Sequence, residues 1–384
     1  VMCTPDKGLW ISDNPNPTTS FYPRFHGTCF GIQLRELSHG VDHRILTDEQ
    51  CTGKTKYMFF KCLKLQLSMD TVHFCHKHGI CDGEQCRHSD GACVIDSMLW
   101  GHPVKQFVSR LSKDKRFYEL AQSYRRRTKS TDDRICDIYD GIAYKKIASP
   151  VTNMPGGYSF LLNYDGATKW KSSLVSAIPI FMVCNELPFV ERFKVENTIF
   201  CGVWFGTEKP NTNTLFSSLV NDLLEGDIGV DITTPLGGTE KVRVRCLNAS
   251  CDLPAKAALL HQQQHGGYHA CSFCNNSGLS MDKRFCYPLL ASYGDVKFDH
   301  SPRKEDDIKA AYSVYDENIS SSILQSSQKL PVIQGLNGIS VFRRLPYWEW
   351  TLFSTIDFMH LLEGIFHLLM KLWMKSKVCS SIVI

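Results

Sequence analysis

The sequence predicts an α/β fold in which a mixed sheet is flanked by helices. Three observations support this prediction: an ordinary globular composition, a run of consecutive strand patterns, and a later strand–helix pair that follows an amphipathic helix. The chain has 384 residues, of which 43% are hydrophobic, 11% aromatic and 21% charged. These proportions exclude collagen-like, coiled-coil and wholly disordered chains.

The first strand patterns lie in the middle of the chain. Tyr158–Tyr164 reads as a strand that ends before Asp165, and Asp165-Gly166 is a typical hairpin turn. Lys169–Ser172 and the apolar run Leu174–Cys184 are predicted as its antiparallel partners. The sequence therefore predicts a three-stranded antiparallel sheet with an acidic residue at the end of its first strand.

A helix, another pair of strands and a second helix are predicted next. Asn213–Glu225 carries apolar residues at a 3.6-residue period, which indicates an amphipathic helix. Ile228–Thr233 and Lys241–Ser250 read as strands on either side of a turn, and Ala255–Gln264 reads as a helix. Asp252 lies between the last strand and this helix. This order fits an RNase H-like fold, in which the two strands that precede the acids lie side by side.

The chain divides into three predicted regions. Residues 1–103 form a Cys/His-rich N-terminal region. Because its cysteines lack Cys-x-x-Cys spacing, the region is either a degenerate zinc module or a set of scattered buried thiols. Residues 104–136 form a basic helical link whose Arg125–Arg127 run is either a solvated helix end or a phosphate contact. Residues 137–384 form the RNase H-like core. Within it, Ser301–Lys329 is predicted to be irregular and Phe358–Trp373 an amphipathic helix.

Cysteine content and charge narrow the choice of cofactors and partners. Seventeen cysteines, an odd number, without a secretory signal indicate reduced thiols, some of them bound to zinc. The net charge of +4 allows a nucleic acid partner without requiring one. The most apolar run, Leu174–Cys184, has 11 residues, and a membrane-spanning helix needs about 20. No membrane partner is therefore expected.

Asp165 and Asp252 are the candidate catalytic residues. Phosphoryl transfer with two metal ions requires carboxylates on neighbouring strands that hold Mg²⁺ or Mn²⁺ ions about 4 Å apart. Each residue also has a structural alternative. Asp165 is a common turn residue before glycine, and Asp252 is a suitable N-cap for the helix that contains Pro254.

Cys271 and Cys274 have the Cys-x-x-Cys spacing of a zinc knuckle, in which two thiolates on a tight turn bind one ion. A thioredoxin-type redox pair is the alternative, but no helix is predicted to begin at these residues. Asp357 and His360 open the last predicted helix. They are either an N-cap and a first-turn polar residue or the ligands that complete the zinc site.

Several ordered motifs together support a family resemblance. They are Asn163-Tyr164-Asp165-Gly166, Lys171-Ser172-Ser173, Asn185-Glu186-Leu187-Pro188, Arg192–Asn197, Gly202–Gly206, Glu208–Asn211, Cys251–Ala255, Cys271–Cys274, Asp357–His360 and Lys371–Trp373. In this order and spacing, from about Asp137 to Trp373, the chain resembles animal members of the CACTA-type (En/Spm-like, transposase 21) DNA transposases.

The resemblance implies an RNase H-like core with an Asp-Asp-Glu triad and two Mg²⁺ or Mn²⁺ ions. It implies nicking at transposon ends and attack of the new 3′-hydroxyl on target DNA, with Asp165 as the first acid and Asp252 as the second. Cys271, Cys274, Asp357 and His360 match the zinc-associated motifs of the family. A nuclear location, transposon-end and target DNA as partners, and a homo-oligomeric active form are also implied.

The sequence departs from the family at the third acid. In the family this glutamate lies beyond the Asp-x-x-His helix, whereas Ile384 precedes that segment and Glu363 does not match its position. The expected protein is therefore a transposase fragment with impaired strand cleavage. Two alternatives stay open: a transposon-derived DNA- or chromatin-binding protein without catalysis, and an unexpressed genomic remnant.

Overall fold

The computed structural model describes residues 69–75, 79–81, 95–125, 135–164, 168–169, 176–206, 209–281, 284–320, 332–356 and 366–375. Their contacts divide into two units. The first unit comprises the described residues up to Asn248 together with Val341–Trp348, and the second comprises Ala249–Ser340 and the described residues from Glu349 onward. Asp165, Asp357 and His360 lie outside the described residues.

The first unit is built on a sheet in which the order of the strands differs from their order along the chain. They are β1 Asp70–Cys75, β2 Gly79–Cys81, β3 Ile95–Trp100, β4 Gly157–Tyr164, β5 Thr168–Lys169, β6 Ser176–Cys184, β7 Thr198–Gly206, β8 Val230–Thr233 and β9 Thr239–Cys251. Seven of them are ordered β9-β4-β6-β7-β3-β1-β2, while β5 pairs with β6 and β8 pairs with β9. The predicted strands at β4, β6, β8 and β9 are confirmed.

The pairing at the centre of this sheet is antiparallel. In β4 and β6, Phe160 pairs with Cys184 and Tyr164 with Ile180, and β6 continues antiparallel onto β7 with a bulge after Ile180. Strands β6 and β7 are almost continuously apolar because both of their faces are buried. The predicted α/β class, with a sheet flanked by helices, is confirmed.

Helices of the first unit are α1 Pro103–Lys113, α2 Lys115–Arg125, α3 Ser149–Thr152, α4 Phe189–Arg192 and α5 Thr212–Ile228. The first two occupy the predicted helical stretch and bury an apolar face against the sheet. Phe107 of α1 contacts Phe160 of β4 with ring centroids 4.8 Å apart. An aromatic pair of this kind adds about 0.5–1.5 kcal/mol beyond its buried area.

Helix α5 confirms the periodicity seen in the sequence. Asn211 is its N-cap and accepts a hydrogen bond from the Asn213 amide. Phe216 lies 5.1 Å from the Tyr164 ring. At Gly226 a Cβ would lie 2.3 Å from the Val244 side chain, so this glycine allows the helix to approach β9 closely.

Strands β1–β3 extend the sheet beyond the predicted core. β3 pairs with β7, with Trp100 opposite Gly202 and Ser97 opposite Phe205, and β1 pairs antiparallel with β3. These three strands were not predicted, and only β3 among them pairs with the distant β7, while β1 joins the sheet through β3 and β2 through β1. Most of the Cys/His-rich N-terminal region lies outside the described residues, so its predicted zinc module stays a prediction.

The second unit begins with the last residues of β9. Here Ala249 pairs with Ser354 and Cys251 with Ile356 in a parallel ladder with β14. The other elements are α6 Leu253–Leu259, β10 Leu279–Met281, β11 Arg284–Cys286, β12 Ser292–Tyr293, β13 Val296–Lys297, α7 Glu305–Ser320, α8 Trp350–Phe353, β14 Ser354–Ile356 and α9 Phe366–Lys375. α6 is shorter than the predicted helix Ala255–Gln264. α9 begins inside the predicted helix Phe358–Trp373 and ends just after it.

One sequence prediction is wrong. Ser301–Lys329 was expected to be irregular, but helix α7 occupies Glu305–Ser320. Ile308, Tyr312 and Tyr315 recur at helical spacing and are buried, so burial of this stripe outweighs the polar composition of the segment. Glu305, at the start of α7, also accepts hydrogen bonds from the Trp350 and Thr351 amides at 3.1 and 3.2 Å.

Among the described helices, none is both long and apolar enough to cross a bilayer.

Candidate functional site

Asp252 directly follows β9 and is the N-cap of α6. Its carboxylate oxygen Oδ1 accepts a hydrogen bond from the Ala255 amide at 2.7 Å, and Pro254 in the first helical turn has no N–H that would need an acceptor. Asp252 therefore has the N-cap role that was the structural alternative to a catalytic one. This bond holds the side chain in one orientation.

The N-cap bond leaves part of the Asp252 carboxylate free. Within the described residues, the second oxygen, Oδ2, accepts no hydrogen bond, and the side chain is half-buried. A carboxylate has about four acceptor positions. One oxygen of Asp252 can therefore cap α6 while the other binds a cation.

Cys271 and Cys274 lie on a turn with their sulfur atoms 3.4 Å apart, and neither forms a disulfide. Two zinc–sulfur bonds of about 2.3 Å at the tetrahedral angle would place the sulfurs about 3.8 Å apart. The observed pair needs to open by only about 0.4 Å to meet that requirement. No helix begins at either residue, which is unlike the setting of a thioredoxin-type pair.

A backbone amide points at one of the two sulfurs. The Phe273 amide donates to Cys271 Sγ at 3.4 Å. Burial raises the pKa of the Cys274 thiol, whereas the Asn276 amide acts to lower it. The Cys274 thiol lies within hydrogen-bonding distance of Cys271 Sγ, so the turn brings both sulfurs close enough to share one ion.

Arg303 holds this turn in place. Its guanidinium donates to the carbonyl oxygens of Cys271 at 2.7 Å, Gln334 at 2.9 Å and His269 at 2.6 Å. The Arg303 amide also donates to the Phe273 carbonyl at 3.0 Å. Because Arg303 is only 6% exposed, burial lowers its pKa, while the nearby thiols of Cys271 and Cys274 act to raise it.

Lys256 of α6 is a second buried cation beside the turn. It is 3% exposed, and its Nζ lies 4.2 Å from the centroid of the Phe273 ring. Burial lowers the pKa of Lys256, while Cys251 and Cys271 act to raise it. The charge of Arg303 also acts to lower the pKa of Cys274, but burial prevails and that pKa is raised.

The described residues bring together only part of the predicted zinc site. Cys271 and Cys274 are adjacent, whereas Asp357 and His360 lie outside the description. Within the part of the chain that is described, no three His, Cys, Asp or Glu side chains are arranged to hold a metal ion. Both expected partners of the pair thus stay predictions.

The first unit contains a buried polar cluster that sequence analysis did not interpret. Arg192 donates to both carboxylate oxygens of Asp137, at 2.9 and 3.0 Å. Glu186 is fully buried and accepts hydrogen bonds from the Ser159 amide at 2.6 Å and the Tyr144 hydroxyl at 3.0 Å. Glu186 and Arg192 belong to the quoted family motifs, so at these two positions the motifs record internal packing.

Neither a protein-family model nor any curated protein matches this chain.

Proposed function

We propose that the chain is the catalytic core of a CACTA-type DNA transposase with an RNase H-like fold. The observation that carries this proposal is the strand arrangement around the acids. The antiparallel run β4-β6-β7 has β9 beside β4, and the end of β9 pairs in parallel with β14. Such an arrangement is typical of the RNase H-like fold.

The candidate acids follow two neighbouring strands. Asp165 is the first residue after Tyr164, where β4 ends, and Asp252 is the first after Cys251, where β9 ends. In the proposal these carboxylates hold Mg²⁺ or Mn²⁺. Such ions would activate the attacking oxygen and stabilise the leaving oxygen during cleavage of DNA and transfer of its 3′ end. Transposon ends and target DNA are the substrates, the location is nuclear and the active form is a homo-oligomer.

Zinc has a separate, structural role in the proposal. Cys271 and Cys274 supply two ligands, and Asp357 and His360 are the candidates for the others. The support for the cysteine pair is the sulfur separation of 3.4 Å and the Phe273 amide that donates to Cys271 Sγ.

A second candidate function is DNA or chromatin binding without catalysis. The observation that favours it is the N-cap geometry of Asp252, because this carboxylate already has a structural use. This candidate predicts DNA binding that weakens with salt and survives substitution of Asp165 or Asp252.

The decisive test separates the N-cap role of Asp252 from metal binding. Asn caps a helix about as well as Asp, but it lacks the negative charge that attracts Mg²⁺ or Mn²⁺. We expect Asp252→Asn to keep the thermal stability of the wild type and to abolish Mn²⁺-dependent nicking of supercoiled plasmid. The assay uses the complete open reading frame that contains these residues.

The control is Asp231→Asn, which removes an exposed carboxylate from β8. Nicking should persist in this variant. Equal nicking by the wild type and Asp252→Asn would contradict the catalytic proposal. DNA binding without any nicking by the wild type would favour the second candidate.

A further inference from the structure

The helix that begins at Asp252 is too short to be stable by itself. α6 spans only Leu253–Leu259, and isolated helices of fewer than about 12 residues are marginal in water. Its order and direction therefore depend on contacts with the rest of the second unit. Because Asp252 is the N-cap of α6, any rotation or fraying of this helix moves the candidate catalytic carboxylate.

Two side-chain contacts join this part of the chain to the Cys271–Cys274 turn. Within α6, the ammonium nitrogen of Lys256 lies 4.2 Å from the centroid of the Phe273 ring. Just beyond the end of α6, the side-chain amide of Gln262 donates to the Ala270 carbonyl at 2.8 Å. The helix is therefore fastened to the turn at two points, and Lys256 is the one nearer to Asp252.

The position of Phe273 follows the cysteine turn. Its amide donates to Cys271 Sγ at 3.4 Å, and its carbonyl accepts a hydrogen bond from the Arg303 amide at 3.0 Å. The backbone of Phe273 is thus held on both sides, and one of the two groups that hold it is a proposed zinc ligand. A change at the Cys271 sulfur would displace the ring that Lys256 contacts.

Lys256 contributes a contact that an apolar side chain could not provide. It is 3% exposed, and burial of a charged group is costly. A methionine would fill a similar volume without that cost. The attraction between a cation and an aromatic ring becomes stronger when both are withdrawn from water, so the buried ammonium holds α6 to Phe273 by a directional interaction.

We propose that Lys256 is a positioning residue that fixes Asp252 by linking α6 to the Cys271–Cys274 turn. This inference rests on the proposed function and couples its structural zinc to its catalytic acid. Zinc bound to the two sulfurs holds the turn and the Phe273 ring, the ring holds Lys256, and α6 then keeps Asp252 in place. Without zinc the turn loosens and the first turn of α6 frays.

Hydrogen exchange of residues 253–260 tests this link without depending on catalysis. The protein is the complete open reading frame, measured with bound zinc and after chelation. In the wild type, removal of zinc should speed exchange by about 5- to 30-fold, the effect of losing one desolvated cation–π contact. Lys256→Met should exchange this fast with zinc still bound, and chelation should then add little.

Two further measurements separate positioning from packing. Lys256→Arg keeps a cation for the ring and should restore both the slow exchange and its dependence on zinc. Lys256→Met should need more Mn²⁺ for half-maximal nicking, with the rate at saturating Mn²⁺ unchanged, because metal can still select the correct orientation of Asp252. The matched control is Lys309→Met, which removes an exposed lysine from α7 of the same unit and should behave as the wild type.

Three results would overturn the link: wild-type exchange that does not respond to zinc removal, failure of Lys256→Arg to restore slow exchange, or faster exchange of Lys256→Met throughout the second unit with a lower unfolding temperature. The last would make Lys256 a general packing residue. A wild type with zinc-dependent exchange in α6 but no nicking would support the link and overturn the catalytic proposal. Nicking without zinc-dependent exchange would overturn the link alone.

Discussion

The two units each bury an arginine, but they neutralise its charge differently. Arg192 of the first unit is 3% exposed and donates to both oxygens of Asp137. Arg303 of the second unit is 6% exposed and donates only to carbonyl oxygens, those of Cys271, Gln334 and His269. The first arginine has a carboxylate partner, whereas the second is surrounded by neutral acceptors.

The pKa shifts follow from this difference. Burial alone lowers the pKa of an arginine, but the hydrogen bonds and charge of Asp137 more than offset it, so the pKa of Arg192 is raised. For Arg303 burial prevails and the pKa is lowered, although Cys271 and Cys274 act in the opposite direction. Arg192 is thus held by a direct ion pair, whereas the electrostatic influence of Cys271, Cys274 and Asp307 only partly offsets the burial of Arg303.

The largest expected effect comes from breaking the complete pair. Asp137→Ala leaves the guanidinium of Arg192 buried without its carboxylate, which should lower the free energy of unfolding by about 3–5 kcal/mol. Urea unfolding followed by fluorescence measures this loss. The double variant Asp137→Leu with Arg192→Met should be closer to the wild type, because both charges are removed together.

The same pair predicts a pH dependence. Burial acts to raise the pKa of Asp137, but its hydrogen bonds and ion pair with Arg192 lower it below the ordinary 3.8. The pair therefore stabilises the fold fully above about pH 4 and loses this contribution as the pH falls through the lowered pKa. An Asp137→Ala variant as stable as the double variant at pH 7 would contradict this account.

In the proposed zinc site, Arg303 should affect the affinity for zinc more than the overall stability of the fold. Arg303→Met removes the three hydrogen bonds that position the Cys271–Cys274 turn, together with the positive charge beside the thiols. Loss of an outer partner of this kind weakens metal binding by about 10- to 100-fold. Competition with a chromogenic zinc chelator measures the change.

The control for this measurement is Arg343→Met, which removes an exposed arginine and should leave zinc affinity unchanged. If Arg303→Met bound zinc as tightly as the wild type, the guanidinium would have no part in balancing the thiolates. Arg303 and Arg192 would then differ only in how their side chains are packed, and not in how their charges act on neighbouring groups.

Asp222 in the first unit gives the smallest expected effect. Burial raises the pKa of this carboxyl to about 6, with His102 and Lys105 acting to lower it and Glu225 to raise it. Its oxygen Oδ2 has no hydrogen-bond partner among the described residues. Between pH 3.8 and about 6 the folded state holds a proton that the unfolded state releases, so the stability of the fold decreases as the pH rises through this range.

Asp222→Asn should therefore stabilise the protein at pH 7 and have little effect near pH 4. A shift of about two units corresponds to about 3 kcal/mol, and solvent screening of this half-buried group reduces the expected gain to about 1 kcal/mol. Thermal unfolding at the two pH values measures it. A gain of equal size at both would show that the charge of Asp222 is not its cause.

The parts of the fold that were predicted correctly depend on local patterns. The apolar stripe of α5 repeats within the helix itself, and the run Leu174–Cys184 is long and apolar enough to form a buried strand without further information. β3 was missed because it joins the sheet by pairing with β7, about a hundred residues away, and β1 and β2 join the sheet only through β3. The error at α7 has a different origin, since its stripe of Ile308, Tyr312 and Tyr315 was present in the sequence but masked by polar neighbours.

The candidate site divides in the same way. The Cys271–Cys274 spacing and the position of Asp252 between a strand and a helix could be predicted from the sequence, because a tight turn and an N-cap each require only a few adjacent residues. The contacts of Arg303 with the Cys271 carbonyl and of Lys256 with one face of Phe273 depend on how the chain folds. These contacts join residues 32 and 17 positions apart in the sequence. They form because the fold removes both charged side chains from water, so each must find its partners inside the protein.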